Sequence, residues 1–436
     1  MLTRYDIQRL LKLLKQEVYP AVGCNEPLAI ALACAKAREL LGEEPDKVVA
    51  RLSSTIIMNS VGIGIPGAEG MIGIAPAIAL GTVAGRAEAG LDVLSHIGQE
   101  EVAEAKRFMT EKTHVVKHAP QVFEILYIEV EATVGEHSAK VIMAKSFTNF
   151  VFLKHDDEVL LDERHTLATE HDRRHESELT MQTIYDFATK CPLDELQFLL
   201  KGARMNKDVA QHAFTPEANY GLNLGKMLKG GFQERMVGQN AMPRLVCYTC
   251  AACDVRMSGA RVPVMTNSGS GNQGIAVTLP VMIFAEETQC TEAKQTRALA
   301  MSHLINIYIR QIVGKLSSHC NCVLACVGSA CGIAYLLGGS FEQVCHALKN
   351  DIASKTGMIC DGVKPSCTLK MSMGVSSAFQ SAMMAMEGIC VSVNDGIIVD
   401  DPDRCIENLA IIGRDSKNEI DSQVLNIMSE KIYDNV

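Results

Sequence analysis

Three cysteines near the C-terminal end, Cys320, Cys360 and Cys367, could carry the most demanding chemistry in this sequence. The last two bracket the segment Cys360-Asp-Gly-Val-Lys-Pro-Ser-Cys367, in which Gly362 and Pro365 let the chain fold back toward a common centre. Three thiolates can hold three irons of a 4Fe-4S cluster and leave the fourth iron open. An open iron is a Lewis acid, so such a set points to chemistry more than to electron transfer. The residues alone leave rivals. Cys247-Tyr-Thr-Cys250-Ala-Ala-Cys253 has the C-x2-C-x2-C spacing of a bacterial ferredoxin run. Its apolar surroundings favour a helix, placing the three at i, i+3 and i+6, where small residues on a buried face are the competing explanation. Cys322, Cys326 and Cys331 crowd one helix-like stretch with Cys320, and not all of these could bind one metal.

Cys24 stands in Val22-Gly-Cys-Asn-Glu-Pro27, just ahead of a helix start. A helix N-terminus lowers a thiol pKa and favours the thiolate, the form able to take a proton. A buried structural cysteine is the alternative. The run Asn267-Ser268-Gly269-Ser270-Gly271-Asn272-Gln273-Gly274 opens an apolar helix. Its amides and hydroxyls could receive a carboxylate or phosphate, aided by the helix dipole. It lacks the dinucleotide fingerprint and the lysine of a phosphate-binding P-loop, and an ordinary glycine-rich loop competes with it. His165, His171 and His175 lie in a charged segment and read as solvated, and His303 reads as a satisfied core histidine.

These residues need a scaffold that buries thiols. The 436-residue chain is 47% hydrophobic and 21% charged, with a net charge of −10. That balance fits a globular protein of about two domains and excludes a nucleic-acid surface. Sixteen cysteines without a secretory signal imply reduced thiols in a cytoplasmic setting. No Asp, Glu, Lys or Arg appears between Lys315 and Glu342, a length able to span a bilayer. Asn321, Ser329 and several glycines, without flanking basic clusters or an aromatic belt, favour a buried helix and no membrane span.

The pattern predicts an α+β protein: a large mainly helical catalytic domain with a small inserted α+β domain. Residues 1–108 read as helical, with a helix starting at Glu26-Pro27 and a loop over Asn59–Gly67. Residues 109–180 alternate as half-buried strands, from His114-Val-Val-Lys through Glu158-Val-Leu-Leu, and end in a charged linker. Residues 181–436 return to small-residue helices carrying the cysteines. The wealth of small apolar residues suits tight helix packing, including a possible homodimer.

The chain resembles the L-cysteine desulfidase family, which is related to the α-chain of iron–sulfur L-serine dehydratases. The resemblance spans essentially the whole sequence. It rests on Gly23-Cys24-Asn-Glu-Pro27, Asn59 with Pro66-Gly67, Thr148-Asn149, Asp254-Val-Arg-Met-Ser-Gly259, Ser268–Gly274, and Gly357-Met-Ile-Cys360-Asp-Gly with Cys367 and Lys370. It implies a 4Fe-4S cluster on Cys320, Cys360 and Cys367, a proton-transferring Cys24, and no pyridoxal phosphate (PLP). The substrate-binding residues it implies are Asn59, Thr148, Asn149, Asn267, Ser268, Gly269, Ser270, Gly271, Asn272, Gln273 and Lys370. Cys247, Cys250 and Cys253 stand where the family usually has other small residues. Phe147 replaces a frequent histidine, and Asn25 replaces a threonine while keeping a side chain able to cap the helix. The implied reaction converts a small amino-acid substrate, L-cysteine, to pyruvate, sulfide and ammonia. Dehydration of L-serine on the same cluster is the nearest alternative, and a non-catalytic iron–sulfur or thiol sensor is the alternative from another class.

Overall fold

Nothing on the helix Asn321–Leu336 asks for water, and it forms the centre of the molecule. Every residue on it except Asn321 and Tyr335 is buried. It packs among Gly271–Glu287, Glu292–Val313, Phe341–Lys355 and Cys367–Met386, the all-round cover that a uniformly apolar helix requires. Its close crossing with Glu292–Val313 depends on Gly328, where a Cβ would stand 2.3 Å from the Ser302 carbonyl oxygen. The charge-free stretch is therefore the middle of a bundle. Among the described residues, no helix is long and apolar enough to cross a membrane. The computed structural model describes residues 3–119, 124–167, 177–230, 240–314 and 317–433. Of the histidines read as solvated, His171 and His175 lie outside these ranges; His165 is exposed.

Six strands form a mixed sheet in the order Thr113–His118, Lys47–Leu52, Tyr127–Val134, His137–Ala144, Phe150–His155, Glu158–Asp162. The first two are parallel and the rest pair antiparallel. Tyr127–Val134 and His137–Ala144 form a tight hairpin in which Val130 faces Val141, β-branched partners that suit a half-buried ladder. The sheet also draws in Lys47–Leu52, from the part of the chain read as helical. With its mainly helical body, the protein is of the α+β class.

Among the described residues, two large apolar cores result, with two smaller clusters beside them. One unites the helices from Met181 onward with Leu10, Leu11, Leu14 and Cys24. The other lies between the sheet and the helices Asn25–Leu41, Ile74–Ala84 and Gln99–Glu111, and receives Leu425 from the C-terminal helix. The start of Asn25–Leu41 thus marks their junction, with Cys24 in the first core and Leu28 in the second. A short antiparallel ribbon pins this junction: Pro20–Val22 pairs with Pro263–Met265.

Candidate active site

The ribbon brings Cys24 and the glycine-rich loop to the same place. Past its last pair, Thr266 N–H donates to Tyr19 O at 2.9 Å and Ser268 N–H to Glu17 O at 3.0 Å. The loop therefore grows from the strand that partners the segment leading to Cys24. Cys24 is the N-cap of its helix, in an extended conformation, and only 3% exposed. Asn25 is the first helical residue and does not cap it. The expectation of a lowered Cys24 thiol does not hold. Burial pushes the thiol up, and the Arg256 guanidinium pulls it part of the way back. Desolvation here outweighs the helix N-terminus.

Arg256 ties Cys24 to the loop. Its Nη2 donates to the Gly23 carbonyl at 3.2 Å and its Nη1 to Asn272 Oδ1 at 3.1 Å. Gly271 is required beneath it, since a Cβ at that position would lie 2.2 Å from Arg256 Nε. Glu26, in the first turn of the helix, accepts from Asn59 Nδ2 at 3.2 Å. Burial raises its carboxyl above the usual carboxylate range, against the pull of Arg256. Asn59 is thereby held beside Cys24. The helix that carries it, Ser54–Ser60, also touches the cysteine turn, where a Cβ on Gly362 would sit 2.2 Å from Met58 O.

Within the loop, much of the expected bonding capacity is spent internally. Asn267 and Ser270 exchange N–H···O bonds at 3.1 and 3.0 Å. Ser268, at φ 49°, donates its hydroxyl to Asn267 Oδ1 at 2.8 Å, and Ser270 caps the helix by accepting from Gln273 N. Asn267 Nδ2 donates to His303 Nδ1 at 2.9 Å. Burial pulls the His303 imidazole down to about 3, so it is neutral, and its Nε2 has no partner among the described residues. Gly269 stands at φ 77° with open space where a side chain would be.

The cysteines converge beside this loop. A bridge between His319 and Ile359 brings Cys320 and Cys360 together: Cys320 N–H donates to Met358 O at 2.8 Å and Cys360 N–H to Ser318 O at 2.7 Å. Cys367 begins the next helix and accepts from Lys364 N–H at 3.4 Å. The Cys320 thiol is pushed well up, by its contact with Cys322 and by burial, and Cys360 likewise by Cys320 and burial. Burial also raises Cys367, with Cys360 adding to it. Two further sulfurs join the group. Cys322 Sγ lies 3.3 Å from Cys320 Sγ, and Cys253 Sγ lies 3.9 Å from Asn272 Oδ1 and within the field of Cys367. The helix Ala241–Met257 buries Cys247, Cys250 and Cys253 as a small-residue face, as its apolar context predicts, but Cys253 also bridges loop and cysteines.

The donor set fits an iron–sulfur cluster. Cys320, Cys360 and Cys367 come from three backbone segments, and all are free thiols. Among the described residues they do not close to within 4.8 Å of one another as ligands of a single ion would. A cluster would place each thiolate on a different iron, so Cys320 and Cys360, within hydrogen-bond reach of one another, would part to hold one. A bound metal would displace the protons of these thiols, and its positive charge would offset the crowding and burial that raise them.

Other expected residues lie elsewhere or are already engaged. Lys370 pairs with Asp361 and donates to Ile359 O at 2.8 Å, clamping the segment around Cys360. Asn149 Nδ2 bonds the Ala144 carbonyl within its own turn at 3.1 Å, and Thr148 is exposed, its methyl beside Gly90. No described hydrogen bond ties either residue to the cysteines. Sequence reasoning set Cys253 aside with its ferredoxin-like run and gave no role to Arg256, Asn306 and Arg310. Their signal is polarity inside otherwise buried helices, as in Ile307-Tyr-Ile-Arg310.

Fold and site together define a mainly helical α+β protein built around buried thiols and a glycine-rich helix start. Residues 88–426 match the family described as serine dehydratase alpha chain, and the chain belongs to that family. It is similar to proteins named UPF0597 along nearly its whole length. One from Bacteroides thetaiotaomicron is 48% identical over 424 residues, covering 97% of this chain and 98% of that protein. One from Phocaeicola vulgatus is 46% identical over 435 residues and covers all of both chains. One from Oleidesulfovibrio alaskensis is 38% identical over 423 residues. Cys24 and Asn59 lie ahead of the family match but within the span of the Phocaeicola relative.

Proposed function

We propose that the protein is an L-cysteine desulfidase, a lyase that converts L-cysteine and water to pyruvate, hydrogen sulfide and ammonia without PLP. The observation that carries this reading is the chain of contacts from Cys24 through Arg256 and Asn272 to Cys253, which lies within the field of Cys367. This path supports reading Cys24 as the base for a substrate held at the cysteines.

When bound, a 4Fe-4S cluster on Cys320, Cys360 and Cys367 supplies a Lewis-acidic iron for the leaving sulfur. Cys24 acts as the base. As thiolate, its Sγ takes the α-proton, and Arg256 makes that thiolate accessible in a site whose burial opposes it. The Asn267–Gln273 loop orders the amino-acid end of the substrate. Cys24 Sγ then holds the proton, and the enamine product tautomerises and hydrolyses in water to pyruvate and ammonia.

The family match favours a second reading, dehydration of L-serine at the same site. Anaerobically reconstituted protein separates the two. Sulfide release from L-cysteine should exceed pyruvate release from L-serine, and equal or faster turnover of serine would sink the desulfidase assignment.

A further inference from the structure

Two side chains on the helix Glu292–Val313 are sealed inside the protein with bonding groups to spare. Arg310 is 4% exposed. Its Nη1 donates to Asn321 Oδ1 at 2.6 Å, while Nε and Nη2 have no acceptor among the described residues. Those two nitrogens form a single edge of the guanidinium, the edge that offers parallel N–H groups to a carboxylate. The acidic groups whose fields reach it are Cys360 and Glu17, and no hydrogen bond joins either to that edge. Leaving a cation buried and unpaired is costly, and an apolar residue of similar volume would stabilise the fold better.

Asn306, one turn earlier, is fully buried and has the opposite surplus. Its orientation follows from a chain of bonds anchored on the backbone. Asn267 Nδ2 donates to the His303 carbonyl at 3.2 Å, so Asn267 Oδ1 is the acceptor and receives Asn306 Nδ2 at 2.8 Å. Gln273 Oε1 accepts from the same nitrogen at 3.1 Å. Asn306 Oδ1 is left without a donor among the described residues.

A free two-pronged donor and a free acceptor at i+4 and i are the complement of a carboxylate and an ammonium on one carbon. We propose that Arg310 and Asn306 form the receptor for the α-amino-acid head group, the carboxylate on the Nε–Nη2 edge and the ammonium on Asn306 Oδ1. This rests on the reading of the site as an amino-acid lyase and specifies how that substrate is held. Arg310 reaches the cysteines through Asn321, the neighbour of Cys320, and Asn306 reaches the loop through Asn267 and Gln273. The loop then works by orienting Asn306, and the Ser268 hydroxyl stays engaged with Asn267. Since the free atoms are sealed from solvent, a ligand reaches them only as neighbouring chain moves aside.

Equilibrium binding to cluster-loaded protein tests this without turnover, because L-alanine has the head group and no leaving group. Wild type should bind L-alanine about tenfold or more tighter than L-alaninamide, which lacks the carboxylate charge. Arg310→Met should erase that preference, Arg310→Lys should keep part of it, and Asn306→Leu should weaken both ligands alike. Arg310→Met should also unfold at a higher temperature than wild type when both lack metal, which an arginine needed only for structure would not do. Failure of wild type to prefer L-alanine, or a preference unchanged in Arg310→Met, overturns the proposal. So does a loss of bound iron in Arg310→Met with the preference intact, which would make Arg310 a partner of the cluster alone. A wild type that binds L-alanine as stated yet releases no sulfide from L-cysteine would remove the desulfidase reading and leave this one standing.

Discussion

Cys24 is held between two opposing influences, and its chemistry depends on their balance. Burial favours the neutral thiol, while Arg256 favours the thiolate. With the thiol above its ordinary value of 9.0, the thiolate fraction should grow across the neutral range, so kcat/KM should climb with pH rather than level off near pH 7. Removing the cation removes the influence that lowers the thiol. Arg256→Met should therefore shift the pH midpoint of Cys24 alkylation upward, read by mass spectrometry after timed iodoacetamide labelling. A midpoint that stays put would show that Arg256 does not act on this thiol. Cys24 was legible in the sequence because it precedes a helix start. The sign of its shift was not, because the burial that raises the thiol comes from tertiary packing of residues distant in the chain.

The helices and strands that place these groups carry their own tests. Gly271 lets the first turn of Gly271–Glu287 lie against Arg256, and a methyl there would also come within 2.6 Å of Val264 Cγ2. Gly271→Ala should cost about 1–3 kcal/mol by overpacking and alter Cys24 labelling together with stability, both measurable on one sample. On Phe341–Lys355, Asp351 and Lys355 form an ion pair with both side chains buried. Asp351→Ala should destabilise by about 3–5 kcal/mol, and Asp351→Leu with Lys355→Met should recover most of that loss in denaturant melts. In the sheet, Asp156 accepts from Ser138 N–H at 2.7 Å and pairs with His137 at 2.8 Å, locking two neighbouring turns. His137 is accordingly raised above 6.5 by that carboxylate, whereas burial lowers His118. NMR titration should find His137 above His118, with Asp156→Asn bringing His137 down. Any stability from the His137 pair is present at acid pH and fades as pH rises through its raised value.

Taken as one object, the protein gathers the thiols of its candidate site in or against one core, with Cys24 where that core meets the second, and this long-range packing explains what the sequence could and could not disclose. Period-two patterning from His114 to Leu161 marked most of the sheet, and the charge-free stretch after Lys315 marked the central helix. Lys47–Leu52 gave no such signal, since four of its six residues are buried and its partners come from residues 113–118 and 127–134. Cys320, Cys360 and Cys367 could be preferred over the other cysteines only through family resemblance, because the His319–Ile359 bridge that brings Cys320 to Cys360 joins segments distant in the chain. Cys253 was set aside for the converse reason: its local context is an ordinary helix face, and only the crossing of Ala241–Met257 with Gly271–Glu287 gives it Asn272 as a neighbour. The account stands or falls on Cys24 acting as the base at an iron–sulfur site. The decisive measurement is sulfide and pyruvate release from L-cysteine by anaerobically reconstituted wild type and Cys24→Ala at matched iron content. The account predicts equal amounts of the two products from wild type and a loss of about 100-fold or more in the variant. Matched iron with undiminished release by Cys24→Ala would contradict it.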